Sequence, residues 1–227
     1  MRNGLRHWLI GGAFLGVAFS PRAGITAMRH ENPDLKLRLR VYDYVGIPPW
    51  VMTRALKDVK FIFGHAGVVV TWNLCTQGEA PAVCSQAPGP LHAVVRIVDR
   101  SVPGADDRQL GYASESYITV NYPRVQEVAA RSGVRPDRIL GCVLGHELGH
   151  VLLGPNSHST AGIMTAAWKN RELKLLRMMP LGFLPAQEKR IRAQVIAEQQ
   201  QTAFRAAGEV QLSTLELNNY SSFNSGY

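Results

Sequence analysis

Gly145-His146-Glu147-Leu148-Gly149-His150-Val151-Leu152-Leu153-Gly154-Pro155-Asn156-Ser157-His158, followed by Gly162-Ile163-Met164, is the stretch that decides how this chain folds. On an α-helix, His146 and His150 lie one turn apart on the same face. Two imidazoles so placed can hold one Zn²⁺, with Glu147 projecting beside them towards a water on the metal. Seven His and ten Glu are present among 227 residues. At that composition, chance supplies the HExxH spacing about 0.01 times per chain.

The helix has a buried flank and a firm end. Ile139, Leu140, Val143, Leu144, Leu148, Val151 and Leu152 recur at helical spacing, and Pro136 or Asp137 stands near the start. Gly154 followed by Pro155 is a strong stop, because glycine takes backbone conformations other residues avoid and proline cannot continue a helix. The chain must then turn sharply below the metal. A catalytic zinc keeps three protein ligands and one open position. His158, on the returning loop, is the natural third ligand after His146 and His150. Glu172, further along, is the other candidate, as in sites that recruit a distant glutamate. Cys142, one turn before His146, reads as a small buried thiol. His65 and His92 read as structural or solvated.

Outward from the helix, Leu35 to Val45 alternates apolar with polar residues, the pattern of a half-buried strand. Pro48 and Pro49 introduce a helix over Trp50 to Phe63. Val68 to Leu74, Leu91 to Val98, Leu110 to Ser114 and Tyr117 to Tyr122 read as strands, with a polar loop over 99–109. A short helix is predicted over Arg124 to Arg131 and a C-terminal one over Pro185 to Ala207. The Ser- and Asn-rich residues 208–227 read as a flexible tail.

At the N-terminus, Arg2, Arg6 and His7 precede an apolar run from Trp8 to Phe19. Twelve residues are few for a membrane span and suit a signal peptide. Residues 1–27 are therefore predicted as a leader, cleaved after Ser20, Ala23 or Ala27, which places the protein in the periplasm or outside the cell. An uncleaved anchor or a buried helix is the alternative. Loss of the leader's three arginines takes the net charge from +8 to +5. The remaining cations are scattered, apart from the alternating Lys36 to Arg40, so no nucleic-acid partner and no stable membrane insertion of the mature chain are expected. Cys75 and Cys84 bracket a short loop, and an oxidising compartment favours a disulfide between them. One catalytic domain over 28–207 accounts for the rest.

Residues 142–164 resemble the metzincin clan of zinc metallopeptidases, including short exported bacterial members. The clan's pattern is HExxHxxGxxH with a Met-turn, and Gly162-Ile163-Met164 resembles that turn. This chain departs from the pattern after His150: Gly154 follows by four residues where the clan has three, and His158 by eight where it has six. Asn156 occupies the position of the clan's third His. The resemblance implies an α+β fold, a twisted mixed sheet packed on long helices with a small C-terminal subdomain. It implies Met164 as an apolar floor under the imidazoles and Gly111-Tyr112-Ala113 as an edge strand along the substrate. Ala166 stands where some members carry a metal-assisting Tyr, so no such assistance is expected. The implied activity is zinc-dependent hydrolysis of peptide bonds in a peptide or protein, with Glu147 as general base. A metal-binding module without turnover, or an amidase acting on a cell-wall stem, are the alternatives.

Overall fold

The computed structural model describes residues 35–75, 81–87, 89–99 and 109–223. The leader predicted over 1–27, the lead-in over 28–34 and most of the loop at 99–109 lie outside the described residues.

A five-stranded mixed sheet forms the centre, in the order β2-β1-β3-β5-β4. Its strands are β1 (Leu35–Asp43), β2 (Val68–Leu74), β3 (His92–Val98), β4 (Gly111–Ser114) and β5 (Tyr117–Asn121). Alternation along β1 sends Leu35, Leu37, Leu39 and Val41 into the core. The strand pairs in parallel with both β2 and β3, and β3 pairs in parallel with β5. Parallel neighbours need a crossover, and α1 (Pro49–His65) supplies the one between β1 and β2. β4 alone runs antiparallel, turning into β5 through Glu115. Periodicity locates strands but carries no information on their order, which long-range packing settles.

Four further helices follow: α2 (Tyr122–Ser132), α3 (Pro136–Leu153), α4 (Asn170–Leu176) and α5 (Pro185–Phe223). α3 carries the two-His motif and is buried on most sides, with Ile139, Leu140, Cys142 and Leu144 scarcely reached by solvent. It crosses α1 so closely that a side chain at Gly141 would stand 2.7 Å from the carbonyl oxygen of Ala55. That close crossing seats α3 directly on α1. α5 packs against α3 and β1, burying Gln187, Ile191 and Val195, a stripe at four-residue spacing, and Arg190 donates to the Leu153 carbonyl at the end of α3.

Two expectations need correction. α4 has no counterpart in the sequence reading: its seven residues are too short to display a period. The C-terminal helix predicted to end at Ala207 continues as helical backbone to Phe223. Once a helix is nucleated each further residue adds cheaply, and Glu209, Gln211, Leu212, Leu215 and Leu217 are good helix formers that outweigh the scattered Ser and Asn.

On the sheet face away from the helices, Cys75 and Cys84 are joined in a disulfide with Cα atoms 5.7 Å apart. β1 holds the far end of that loop. Tyr42 donates its hydroxyl to the Cys84 carbonyl at 2.6 Å, and the buried Arg40 guanidinium donates to the carbonyls of Gln86 and Ala87.

Candidate metal centre and cleft

α3 ends because Gly154 adopts φ 91 and ψ 171, a conformation that costs glycine little and other residues much. Pro155 and Asn156 make an exposed turn, and the chain returns under the helix. Two backbone bonds hold the return: the Ser159 N–H donates to the Met164 carbonyl at 2.9 Å, and the Ile163 N–H to that of Gly182 at 2.8 Å. Gly162 sits at φ 77, and a side chain there would lie 2.7 Å from the Gly182 carbonyl oxygen. The result is that Ser157 is buried and His158 faces back towards α3, while Asn156 points to solvent.

His146, His150 and His158 thereby converge, their ligand atoms all within 4.8 Å of one another. The Nε2 atoms of His146 and His150 are 3.1 Å apart, and those of His150 and His158 also 3.1 Å. Ligands on a tetrahedral Zn²⁺ with Zn–N bonds of about 2.05 Å would be roughly 3.3 Å apart. The outer ring nitrogens explain why the Nε2 atoms cannot simply bond to each other. His146 Nδ1–H donates to the Ile163 carbonyl at 2.7 Å, and the Trp168 indole N–H donates to the same oxygen at 3.3 Å. Ser157 gives its hydroxyl proton to the Gly154 carbonyl, so its oxygen accepts from His150 Nδ1–H at 3.1 Å. With Nδ1 protonated on both rings, two Nε2 lone pairs face one another. A cation between them turns that repulsion into two bonds, and carbonyl partners on the outer nitrogens are the usual support of such ligands. Burial pushes the His146 pKa down to about 4 and lowers that of His150, so both are neutral near pH 7, as metal ligands must be. The donor set fits a zinc cofactor.

Glu147 is 6% exposed and sits on the cleft side of α3. Burial pushes its carboxyl pKa up to about 8. A cation within a few ångströms acts in the opposite direction and favours the carboxylate. Room for this side chain comes from β4: a Cβ at Gly111 would be 3.1 Å from Glu147 Cγ and 3.0 Å from the Thr119 carbonyl oxygen.

The three His and Glu147 line a cavity of about 890 Å³. Gly111, Tyr112 and Ala113 form one wall, Val128, Val143 and Val151 line it further, and Thr165 to Trp168 with Leu173 close the opposite side. Its lining contains no Lys or Arg. Met164 is fully buried and outside this lining; its sulfur lies 2.5 Å from where a side chain on Gly149 would begin, beneath the helix. Glu172 does not join the cluster. Its carboxylate accepts the Lys169 backbone N–H at 3.0 Å and caps α4. Cys142 is buried, its thiol pushed up to about 12 by that burial. Ala166 lines the cavity, as does Trp168, whose ring is 6.2 Å from that of His146.

Sequence reasoning missed Ser157, Ile163 and Trp168 as supports of the ligands, and Gly111 as the residue that makes space for Glu147. A Ser directly before the third His, and a Trp four residues after the Met, were the available signals. Neither has a fixed meaning without the returning loop.

No protein-family model matches the chain, and no curated protein matches it. Among solved structures it is similar to the crystal structure of archaemetzincin from Methanopyrus kandleri, with a TM-score of 0.49 and 16% identity over 71% of this chain and 96% of that one. It is also similar to a zinc-dependent peptidase from Methanocorpusculum labreanum, with a TM-score of 0.46 and 14% identity over 67% of this chain and 99% of that one.

Proposed function

We propose that this chain is an exported zinc-dependent endopeptidase in which Glu147 is the general base. The observation that carries the reading is the placement of a buried carboxyl beside three converging imidazoles in one open cleft. A structural zinc site has no use for such a carboxyl and is usually closed by a fourth protein ligand. Export is supported by the apolar run after Arg6 and by the disulfide.

His146, His150 and His158 would hold the Zn²⁺, which when bound would supply Lewis-acid polarisation of a carbonyl and lower the pKa of water. The chain's own groups do the rest. Glu147 takes a proton from the attacking water as the C–O bond forms, then gives it to the amine nitrogen as the C–N bond breaks. Ile163 and Ser157 hold the imidazoles in the ligating tautomer. β4 is the outermost strand and pairs with β5 on one side. Among the described residues no strand pairs with its other edge, where the backbone of an extended peptide can add to the sheet.

The test is hydrolysis of a peptide library by the purified chain, with and without chelator, and by Glu147→Gln. The substitution is expected to lower kcat by about 10²–10⁴-fold while zinc stays bound. Cleavage by the zinc-loaded variant at the parental rate would end this reading.

A further inference from the structure

The segment from Lys169 to Met179 forms a second surface feature beside the cleft. Along α4 and the turn that continues it, Arg171, Lys174, Leu175 and Met178 stand at i, i+3, i+4 and i+7 and share the outward face. The inward face carries Glu172 and Leu176, both buried. Backbone bonds from the N–H groups of Met178 and Met179 to the Leu175 carbonyl keep the turn helical, so the stripe is continuous. Leu175 is 39% exposed, Met178 73% and Met179 51%. Three large apolar side chains in one patch are unusual on a free surface and mark a contact.

The charges select the partner. Lys169, Arg171, Lys174 and Arg177 surround the patch, and the segment's single acid, Glu172, caps α4 close to Arg171 and Lys169, which leaves the segment net positive. Arg177 donates to the neutral carbonyl of Ser132, so its positive charge is not cancelled. A second copy of the chain would bring the same cations together and is disfavoured. A nucleic acid would use the cations but gain nothing from two exposed methionines. We infer that the Lys169–Met179 segment docks the protein on an anionic lipid surface, the cations facing headgroups and Leu175, Met178 and Met179 entering the acyl boundary. Leu173 and Trp168, at the base of the same segment, line the cleft. Docking therefore presents the cleft to polypeptides at the membrane surface, a consequence that rests on the proposed peptidase activity; the docking itself does not.

The experiment is co-sedimentation of the full chain with vesicles of phosphatidylglycerol and phosphatidylcholine, against vesicles of phosphatidylcholine alone. Binding is expected only to the anionic vesicles and to weaken as salt rises. Arg171→Gln with Lys174→Gln should weaken it about 25-fold, roughly fivefold for each cation lost. Met178→Ser with Met179→Ser should weaken it by about tenfold or more. All four positions are exposed, so unchanged melting and zinc binding identify a surface effect. Equal binding to neutral vesicles overturns the inference. So does anionic binding that survives both double variants, which would assign it to another part of the chain such as residues 1–27. Polyglutamate bound as tightly as the vesicles, and unaffected by the Met variants, would show an acidic-polypeptide site instead. None of these readouts requires turnover, so failure here leaves the peptidase reading to its own test.

Discussion

Replacing His158 by Ala tests the feature on which the site turns. His158 follows His150 by eight residues and reaches the cluster from the returning loop, and its Nε2 ends 3.1 Å from that of His150. The residue is exposed, so its removal opens no core cavity and should change the stability of the metal-free chain by less than about 0.5 kcal/mol. The whole effect should fall on zinc. An apparent binding free energy of about 10–16 kcal/mol shared over four ligands gives roughly 3 kcal/mol for each. That is on the order of a hundredfold in Kd. Competition against a chromophoric chelator near neutral pH measures it directly. Thermal melts give a second reading: at a fixed excess of zinc, a hundredfold weaker Kd removes about 2.7 kcal/mol of ligand-induced stabilisation. Glu172→Ala is the matched control. Its carboxylate is engaged at the start of α4, so the variant should loosen that turn and leave zinc affinity unchanged. The reasoning is refuted if His158→Ala binds zinc within about threefold of the parent, or if Glu172→Ala is the variant that loses it.

Gly111→Ala should separate binding from catalysis. The added methyl would press on Glu147 Cγ at 3.1 Å and is trapped against the Thr119 carbonyl, so kcat should fall about tenfold with zinc affinity intact; steady-state kinetics and the chelator titration together check this. Cys75→Ser with Cys84→Ser removes a short cross-link and should cost about 2–3 kcal/mol in denaturant unfolding under oxidising conditions, with no change under reducing ones. Asp58 gives a pH signature. Burial raises its pKa from 3.8 to about 6, against the opposing pull of Arg138. The folded chain therefore holds a proton that the unfolded chain releases across that window. This contribution to stability is complete below 3.8 and is lost as pH rises through 6. Asp58→Asn has no such loss, so the melting difference, variant minus parent, should rise between pH 4 and 7 by about 1–2 kcal/mol after solvent screening. A difference that stays flat across the window would refute the assignment.

The contrast between what was legible in the chain and what was not follows the range of the interactions involved. α3, its buried flank, the pairing of His146 with His150 and the stop at Gly154 are local. A helical period of 3.6 places residues four apart on one face whatever surrounds them, and the glycine ends the helix through its own backbone. Alternation in β1 and the boundaries of β2 are local in the same sense. Sheet order, the burial of Arg40 over the disulfide loop and the close crossing at Gly141 are not. Each depends on which distant segment arrives next to the residue. The third ligand belongs to that second class. Between Asn156 and His158 the chemistry of the side chains favours His, but only the bonds from Ser159 to Met164 and from Ile163 to Gly182 fold the loop so that His158 meets the other two rings. The supports are of the same kind: the carbonyl of Ile163 has no signature in a sequence, and Trp168 acquires its role by reaching that one oxygen. The sequence alone brought His146, Glu147 and His150 together, because one turn of helix is enough to align them. The tertiary structure decided which third imidazole meets them and which groups hold the three rings in place, because those contacts join residues that only the folded chain brings together.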